Sequence, residues 1–167
     1  ALRRGSRCSV DIRHWAPREQ FRILHVEDVF EIRYRIAGAP IRGQTELLMT
    51  ARADLVVEDP RGKVHITDHK GAGRIDSRHA KFYGISGQIL NLRWIGVTAF
   101  GSRFGGVMLN MIQTGGEPKF ERPVLDPAPA LFARFPQVIE DAERRIAALE
   151  DENRPANAWP ASPSELV

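Results

Sequence analysis

Cysteine occurs once in the 167 residues, at Cys8. A single thiol excludes an internal disulfide framework, a four-cysteine zinc site and a self-contained cysteine-ligated iron–sulfur cluster, so a bound metal would sit on oxygen or imidazole. Long apolar runs are missing as well. None approaches the roughly 18 residues of a membrane span, and the sequence does not open on a charged-then-apolar leader, so a soluble intracellular protein is the expectation. No internal repeat is visible. Lysine is scarce beside arginine, 4 against 20, a bias toward forked donors that match phosphate, although GC-rich codon usage produces the same bias. What is present suffices for one packed domain, since 43% of residues are hydrophobic and 27% charged, which excludes a disordered or fibrous chain. The formal charge of +3 hides an asymmetry. Residues 1–125 carry 20 basic and 13 acidic side chains, a balance of +7, while residues 126–167 carry 4 and 8, a balance of −4. Charge alone leaves a nucleic-acid partner and a merely solvated basic surface equally open.

Residues 1–20 show no clear period and contain Pro17, which predicts an irregular lead-in or the end of a truncated helix. From Phe21 to Ile36, β-branched and aromatic residues alternate with charges, as in one long strand or a hairpin. The turn signal of residues 38–43 leads to a second strand ending at Asp59-Pro60-Arg61-Gly62, and Lys63 to Lys70 forms a third, stopped by Gly71-Ala72-Gly73. Three strands with short turns predict an antiparallel meander. Phe82, Ile85, Ile89 and Leu92, spaced by three and four, predict one amphipathic helix over 78–96, with Gly84 and Gly87 inside it explained by a close helix–sheet contact. Gly105-Gly106 then introduces a central strand, Phe120 to Leu125 can pair at an edge where Pro123 is tolerated, and Val138, Ile139, Ala142, Ile146 and Leu149 mark a helix over 129–151. The expected organisation is a lead-in (1–20), one domain (21–151) and a Pro-rich tail (152–167). The fold class is α/β, a mixed sheet containing an antiparallel meander and flanked by helices.

This order brings Asp54 close to Asp68-His69-Lys70. Asp68 and Lys70 are two apart on a strand and leave the same face, and Asp54 precedes them on the neighbouring strand across a turn. Two carboxylates, with the His69 backbone carbonyl as a further oxygen, can hold a hard divalent cation such as Mg²⁺ or Mn²⁺, with the Lys70 ammonium beside it. That set suits phosphodiester hydrolysis, in which the metal stabilises charge on phosphate and acidifies water while the lysine orients or helps to deprotonate that water. Taken alone, the same residues also fit turn and strand-end positions with no chemistry.

Over roughly residues 20–115 the chain resembles the PD-(D/E)XK nuclease superfamily, in its RecB-like and phage-type exonuclease branch. The matching motif is a metal-binding Asp on one strand, (D/E)-x-K on the next, and then a helix bearing Gln. It falls on Asp54, on Asp68 and Lys70, and on Gln88, with Tyr83 on the same helical segment. The resemblance implies a restriction-endonuclease-like core, a metal-dependent deoxyribonuclease acting in replication or recombination, a DNA partner, and a cytoplasmic setting in a bacterial host, with a phage gene as one source. It leaves any protein partner or homo-oligomer undefined. It also implies a further ligand on an N-terminal helix, for which Glu27, Glu31 and His14 are the candidates, and a tail like that of residues 157–166 leading into a cysteine-bearing C-terminus. Leu92 stands where the branch usually has Tyr. Two other functions share these residues: a module that binds DNA or a partner without cutting, and a structure-specific endonuclease.

Arg74, Arg78 and Lys81 follow the third strand and are candidates for the DNA backbone, with a solvated helix start as the equal alternative. His65 and His69 have the i, i+4 spacing of a helical zinc pair, but on a strand they lie about 13 Å apart, too far to share an ion. His25 and His79 are read as surface or helix-start residues. Trp94 is expected to pack, and Trp15 and Trp159 are candidates for base stacking. The glycine-rich segments 71–74 and 101–106 lack a Walker or dinucleotide pattern and are read as turns.

Overall fold

The computed structural model describes residues 20–152 except residue 118, and not the side chains of residues 77, 79 and 80. Residues 1–19 of the lead-in, residues 153–167 of the tail, and with them Cys8, His14, Trp15 and Trp159, therefore lie outside the described residues, as does the side chain of His79. The long alternating segment forms one strand, β1 (Arg22–Arg35), not a hairpin. It pairs antiparallel with β2 (Glu46–Glu58), and residues 36–45 connect them; at the tip an isolated Ile41–Gln44 bridge encloses Arg42 (φ 49°) and Gly43 (φ 75°), both at positive φ, the geometry that matches strand twist in a tight hairpin. β3 (Val64–Ala72) completes the meander. Its turn is tied by Asp59, whose carboxylate accepts the backbone N–H groups of Arg61 (2.8 Å) and Lys63 (2.9 Å).

A parallel partner of β3 requires a crossover, and two helices supply it before β4 (Phe104–Gln113) pairs alongside. The predicted single helix over 78–96 is instead α1 (Ser77–Gly84) and α2 (Gly87–Phe100). Ser86 ends the first and caps the second, its hydroxyl accepting the Ile89 N–H at 3.3 Å. The break takes Phe82 (68% exposed) and Ile85 (50% exposed) off the apolar face that their spacing implied, while Ile89, Leu92 and Ile95 remain buried. The close contact expected at Gly84 and Gly87 is also elsewhere: a Cβ at either position meets nothing within 4 Å, whereas one on Gly96 would stand 2.1 Å from the Phe104 ring. Strand β3 runs on through Gly71 and Ala72, and Gly105 and Gly106 belong to β4, after a 3₁₀ turn at Gly101–Arg103, so both glycine segments are partly strand. The short strands β5 (Phe120–Glu121) and β6 (Val124–Leu125) pair antiparallel with β4 on either side of Pro123, completing a six-stranded mixed sheet.

The core lies between the sheet and α2 and includes Val56, Val64, Ile66, Ile89, Leu92, Ile95, Val107 and Leu109. Trp94 packs edge-on against Tyr34 and Phe135, as expected of it. Helix α3 (Pro129–Asp151) matches its predicted range, but Val138 is exposed, and the helix buries a carboxylate, Glu140, that its apolar periodicity did not reveal. Glu140 accepts hydrogen bonds from the Tyr34 hydroxyl (2.8 Å) and the Ala37 N–H (2.9 Å), fastening α3 to the end of β1. The Ala37 N–H, the Tyr34 hydroxyl and the nearby Arg144 charge together outweigh burial and hold its carboxyl below the ordinary carboxylate value. A depressed folded value contributes stability that is complete above the unfolded value of about 4.3 and is lost as pH falls through the folded one. Glu140→Ala, which strands two donors, should cost about 2 kcal/mol or more. Glu140→Gln should make the acid limb of melting temperature against pH shallower but not flat, because Arg22 depresses Glu58 and the Lys63 N–H depresses Asp59. An acid limb as steep as wild type would show that Glu140 has no part in the acid response.

Candidate active site

The sheet divides at one point. Strand β2 pairs with β1 along its length but with β3 only from Leu55 to Glu58, while β3 stays paired with β4 from Val64 to Ala72. Continuing the Leu55↔Thr67 register would set Ala53 against His69. Instead the side chain of Asp54 takes the ladder's place, Oδ2 accepting the His69 N–H at 2.9 Å. On β3 the face that carries Val64 and Ile66 into the core continues, at the next two alternate positions, as Asp68 and Lys70. The apolar strip thus ends in a carboxylate and an ammonium beside the division.

Gln88, in the first turn of α2, joins the two. Its Nε2 donates to Asp68 Oδ1 at 2.8 Å and its Oε1 accepts from Lys70 Nζ at 2.9 Å. This amide orientation is dictated by its partners, since a carboxylate only accepts and an ammonium only donates. Asp68 is 5% exposed, and its Oδ2 lies 2.8 Å from Lys70 Nζ, an ion pair without hydrogen-bond alignment. Tyr83 stands beside the lysine, its ring centroid 5.8 Å from Nζ. The helix break at Ser86 therefore has a consequence for the site: it starts α2 where Gln88 meets β3. A largely buried ion pair is weak support for stability compared with apolar packing, so packing alone does not account for its place at the end of a core strip.

Of the three candidates for a further ligand, His14 is outside the described residues and Glu31 is an exposed residue paired with Thr50 on β1. Glu27 comes level with Asp54, between the pairs Val26↔Leu55 and Asp28↔Ala53, but has positive φ (51°) and turns its carboxylate to Arg52, 2.6 Å from Nε. Among the described residues no three His, Cys, Asp or Glu side chains gather as a metal cluster. Arg74, Arg78 and Lys81 are exposed on the segment that leaves β3 and on α1. His25 is partly exposed and meets Asp28, its Nδ1 2.8 Å from Oδ2. His65 and His69 lie on a strand as expected and make separate contacts, His65 with Asp59 at 3.5 Å and His69 with Asn110 at 2.8 Å.

Two polar residues near the site escaped sequence reasoning. Asn110 contacts the His69 ring, and Arg122 Nε donates to Asn110 Oδ1 at 3.2 Å, both behind the sheet as seen from Asp68. Their one signal in the sequence is that Asn110 interrupts the apolar run of β4. No protein-family model matches the sequence, and no curated protein matches it either.

Proposed function

We propose that the chain is a divalent-metal-dependent nuclease that hydrolyses DNA phosphodiester bonds, acting as an exonuclease. The observation that carries this is the network at the dividing sheet: Asp54 on the His69 N–H, and Asp68 and Lys70 joined by Gln88. The resemblance to PD-(D/E)XK nucleases assigns the same residues to the same task. The donor set suits Mg²⁺ or Mn²⁺, because Mg²⁺ keeps several waters and is commonly held by one or two carboxylates, and Asp68 Oδ2 is buried without an aligned hydrogen bond. Asp54, Asp68 and the His69 carbonyl would hold the ion, which supplies charge stabilisation at the attacked phosphate and acidifies water.

Lys70 has the two parts of a water-handling group. Gln88 fixes its ammonium from one side and Asp68 from the other, so its charge is aimed without reorganisation at the moment of attack. It would orient the water whose oxygen bonds to phosphorus and which gives up a proton to solvent, while the P–O bond to the departing nucleotide breaks and the leaving oxygen takes a proton from solvent. Gln88 supports the site by holding the pair in register, and Tyr83 closes one side of the lysine.

Arg74, Arg78 and Lys81 supply phosphate contacts that do not depend on the carboxylates. Binding to duplex DNA should weaken steeply with salt, and neutralising the three together should flatten the log–log slope by about 2–3, at roughly 0.9 for each phosphate that no longer meets a cation. An unchanged slope would put the DNA path elsewhere. Among the described residues no helix is long and apolar enough to cross a membrane. The exonuclease assignment is tested by offering Mn²⁺-loaded protein a linear duplex and a covalently closed circle of the same sequence. Shortening of the linear molecule alone is expected, cutting of the circle would make the protein an endonuclease, and binding without cutting of either would favour a DNA-binding module.

A further inference from the structure

The catalytic assignment uses the backbone of His69 but not its ring, which leaves the opposite face of β3 and meets Asn110. These residues are direct register partners across the parallel β3–β4 pair. Asn110 is out of place by local rules: it is the one polar side chain in Val107–Ile112, an inner-strand segment where apolar residues are favoured. The hydrogen-bond chain fixes its proton positions. A guanidinium only donates, so Asn110 must turn its oxygen to Arg122. Its amide nitrogen then faces His69, whose Nδ1 must accept, and the neutral ring carries its proton on Nε2. Asn110 and Arg122 also line a groove of about 240 Å³ whose other walls include Leu55, Val57 and Met108; their bond to each other is half-buried, while the contact with the His69 ring lies at the surface.

We propose that Asn110, oriented by Arg122, is a positioning residue for the active site. By anchoring the His69 ring behind the sheet it fixes the two peptide groups of His69, one whose N–H carries Asp54 and one whose carbonyl faces the metal in the assignment above. The inference rests on that assignment. The distance spanned is short, since ring and peptide groups belong to one residue, and at this position β3 has a ladder partner on its β4 side but none on its β2 side. Outer partners of metal ligands commonly contribute 10–100-fold to metal affinity or activity.

The test combines ¹⁵N NMR of the His69 imidazole with calorimetric titration of Mn²⁺ into the full chain. Wild-type protein should show the Nε2–H tautomer. Asn110→Asp still accepts from Arg122 but has no N–H to offer, so the ring should switch to Nδ1–H, stay anchored and keep Mn²⁺ affinity within about threefold. Asn110→Leu removes the anchor at similar volume and should weaken Mn²⁺ binding 10–100-fold, with a melting temperature near that of wild type. If Asn110→Leu does not fold, Arg122→Met serves instead: it frees the Asn110 amide to flip and should mix the two tautomers and weaken Mn²⁺ binding. An Nδ1–H ring in wild type, or Mn²⁺ affinity unchanged in Asn110→Leu or its substitute, would overturn the positioning role while the metal site stands. Wild-type protein that binds no Mn²⁺ would overturn the metal site and this role with it.

Discussion

Replacing Lys70 by alanine is expected to lower phosphodiester cleavage by two or more orders of magnitude while leaving DNA and metal binding intact. Neither carboxylate is touched, and Lys70 is only one of several cations that can meet the phosphates. What disappears is a positive charge held in place before the reaction starts, by Gln88 at 2.9 Å and Asp68 at 2.8 Å. Removing one preorganised transition-state donor elsewhere costs roughly 2.7–4 kcal/mol, a hundredfold or more in rate. Lys70→Arg should not restore activity, because a guanidinium is planar, bulkier and too basic to exchange a proton with water, and it would have to fit between Asp68 and Gln88. Gln88→Ala should produce a smaller loss in the same direction, since the lysine keeps its charge but loses one of its two anchors. Undiminished cleavage by Lys70→Ala would discard this assignment of the active site.

The second large effect is thermodynamic. A cation bound only by the folded protein should stabilise it by about 2.7 kcal/mol at 100 times the dissociation constant, a rise of roughly 5–10 °C in melting temperature for a chain of this length. Asp54→Asn together with Asp68→Asn should abolish that rise. An asparagine oxygen at position 54 can still accept the His69 N–H. Asp68→Asn, by contrast, takes away the counter-charge of Lys70 and should lower the melting temperature without the ion, so the ion's effect is read as the rise on adding Mg²⁺ to each protein. Differential scanning calorimetry with and without Mg²⁺ reads both expectations, and a double variant that still responds fully to Mg²⁺ would show that the site is wrong.

How much of this was legible in the sequence varied with the range of the interaction concerned. The meander could be read because alternation and turn residues are local signals: Asp59-Pro60-Arg61-Gly62 turns where its composition says it should. Asp68 and Lys70 could be assigned to one face by the period of a strand. The helix break could not be read from periodicity, since Phe82, Ile85, Ile89 and Leu92 keep helical spacing across Ser86, and a cap competes with a continuing helix only by a hydrogen bond. Gly84 and Gly87 look like packing glycines in the sequence, yet in these two helices it is Gly96 that is under steric pressure, because the relevant neighbour, Phe104, arrives from the next strand. Asn110 and Arg122 required the register of a parallel pair, which is set by a crossover of two helices and by no residue near either one. Glu140 was hidden for a similar reason, its donors coming from Tyr34 and Ala37 at the far end of β1.

The division of the sheet explains why these polar groups gather where they do. Where β2 leaves β3, a backbone donor needs a new acceptor, and Asp54 supplies it with a charged side chain in place of a carbonyl. That substitution brings a carboxylate to the His69 backbone, one residue from Asp68, without any need for the strands to stay paired. On the other side, α2 begins at this level, so its first turn offers Gln88 where a longer helix would have presented its flank.

The central claim is that Asp54, Asp68 and Lys70 form one metal-dependent hydrolytic site. It is tested most directly by measuring the release of acid-soluble nucleotides from uniformly labelled linear duplex DNA as Mn²⁺ is raised from zero, for the wild type and for Lys70→Ala, with an EDTA control. Wild-type release is expected to saturate with Mn²⁺, to vanish in EDTA and to fall at least a hundredfold in the variant. Wild-type protein that binds this DNA but releases nothing in Mn²⁺ or Mg²⁺ would contradict the claim.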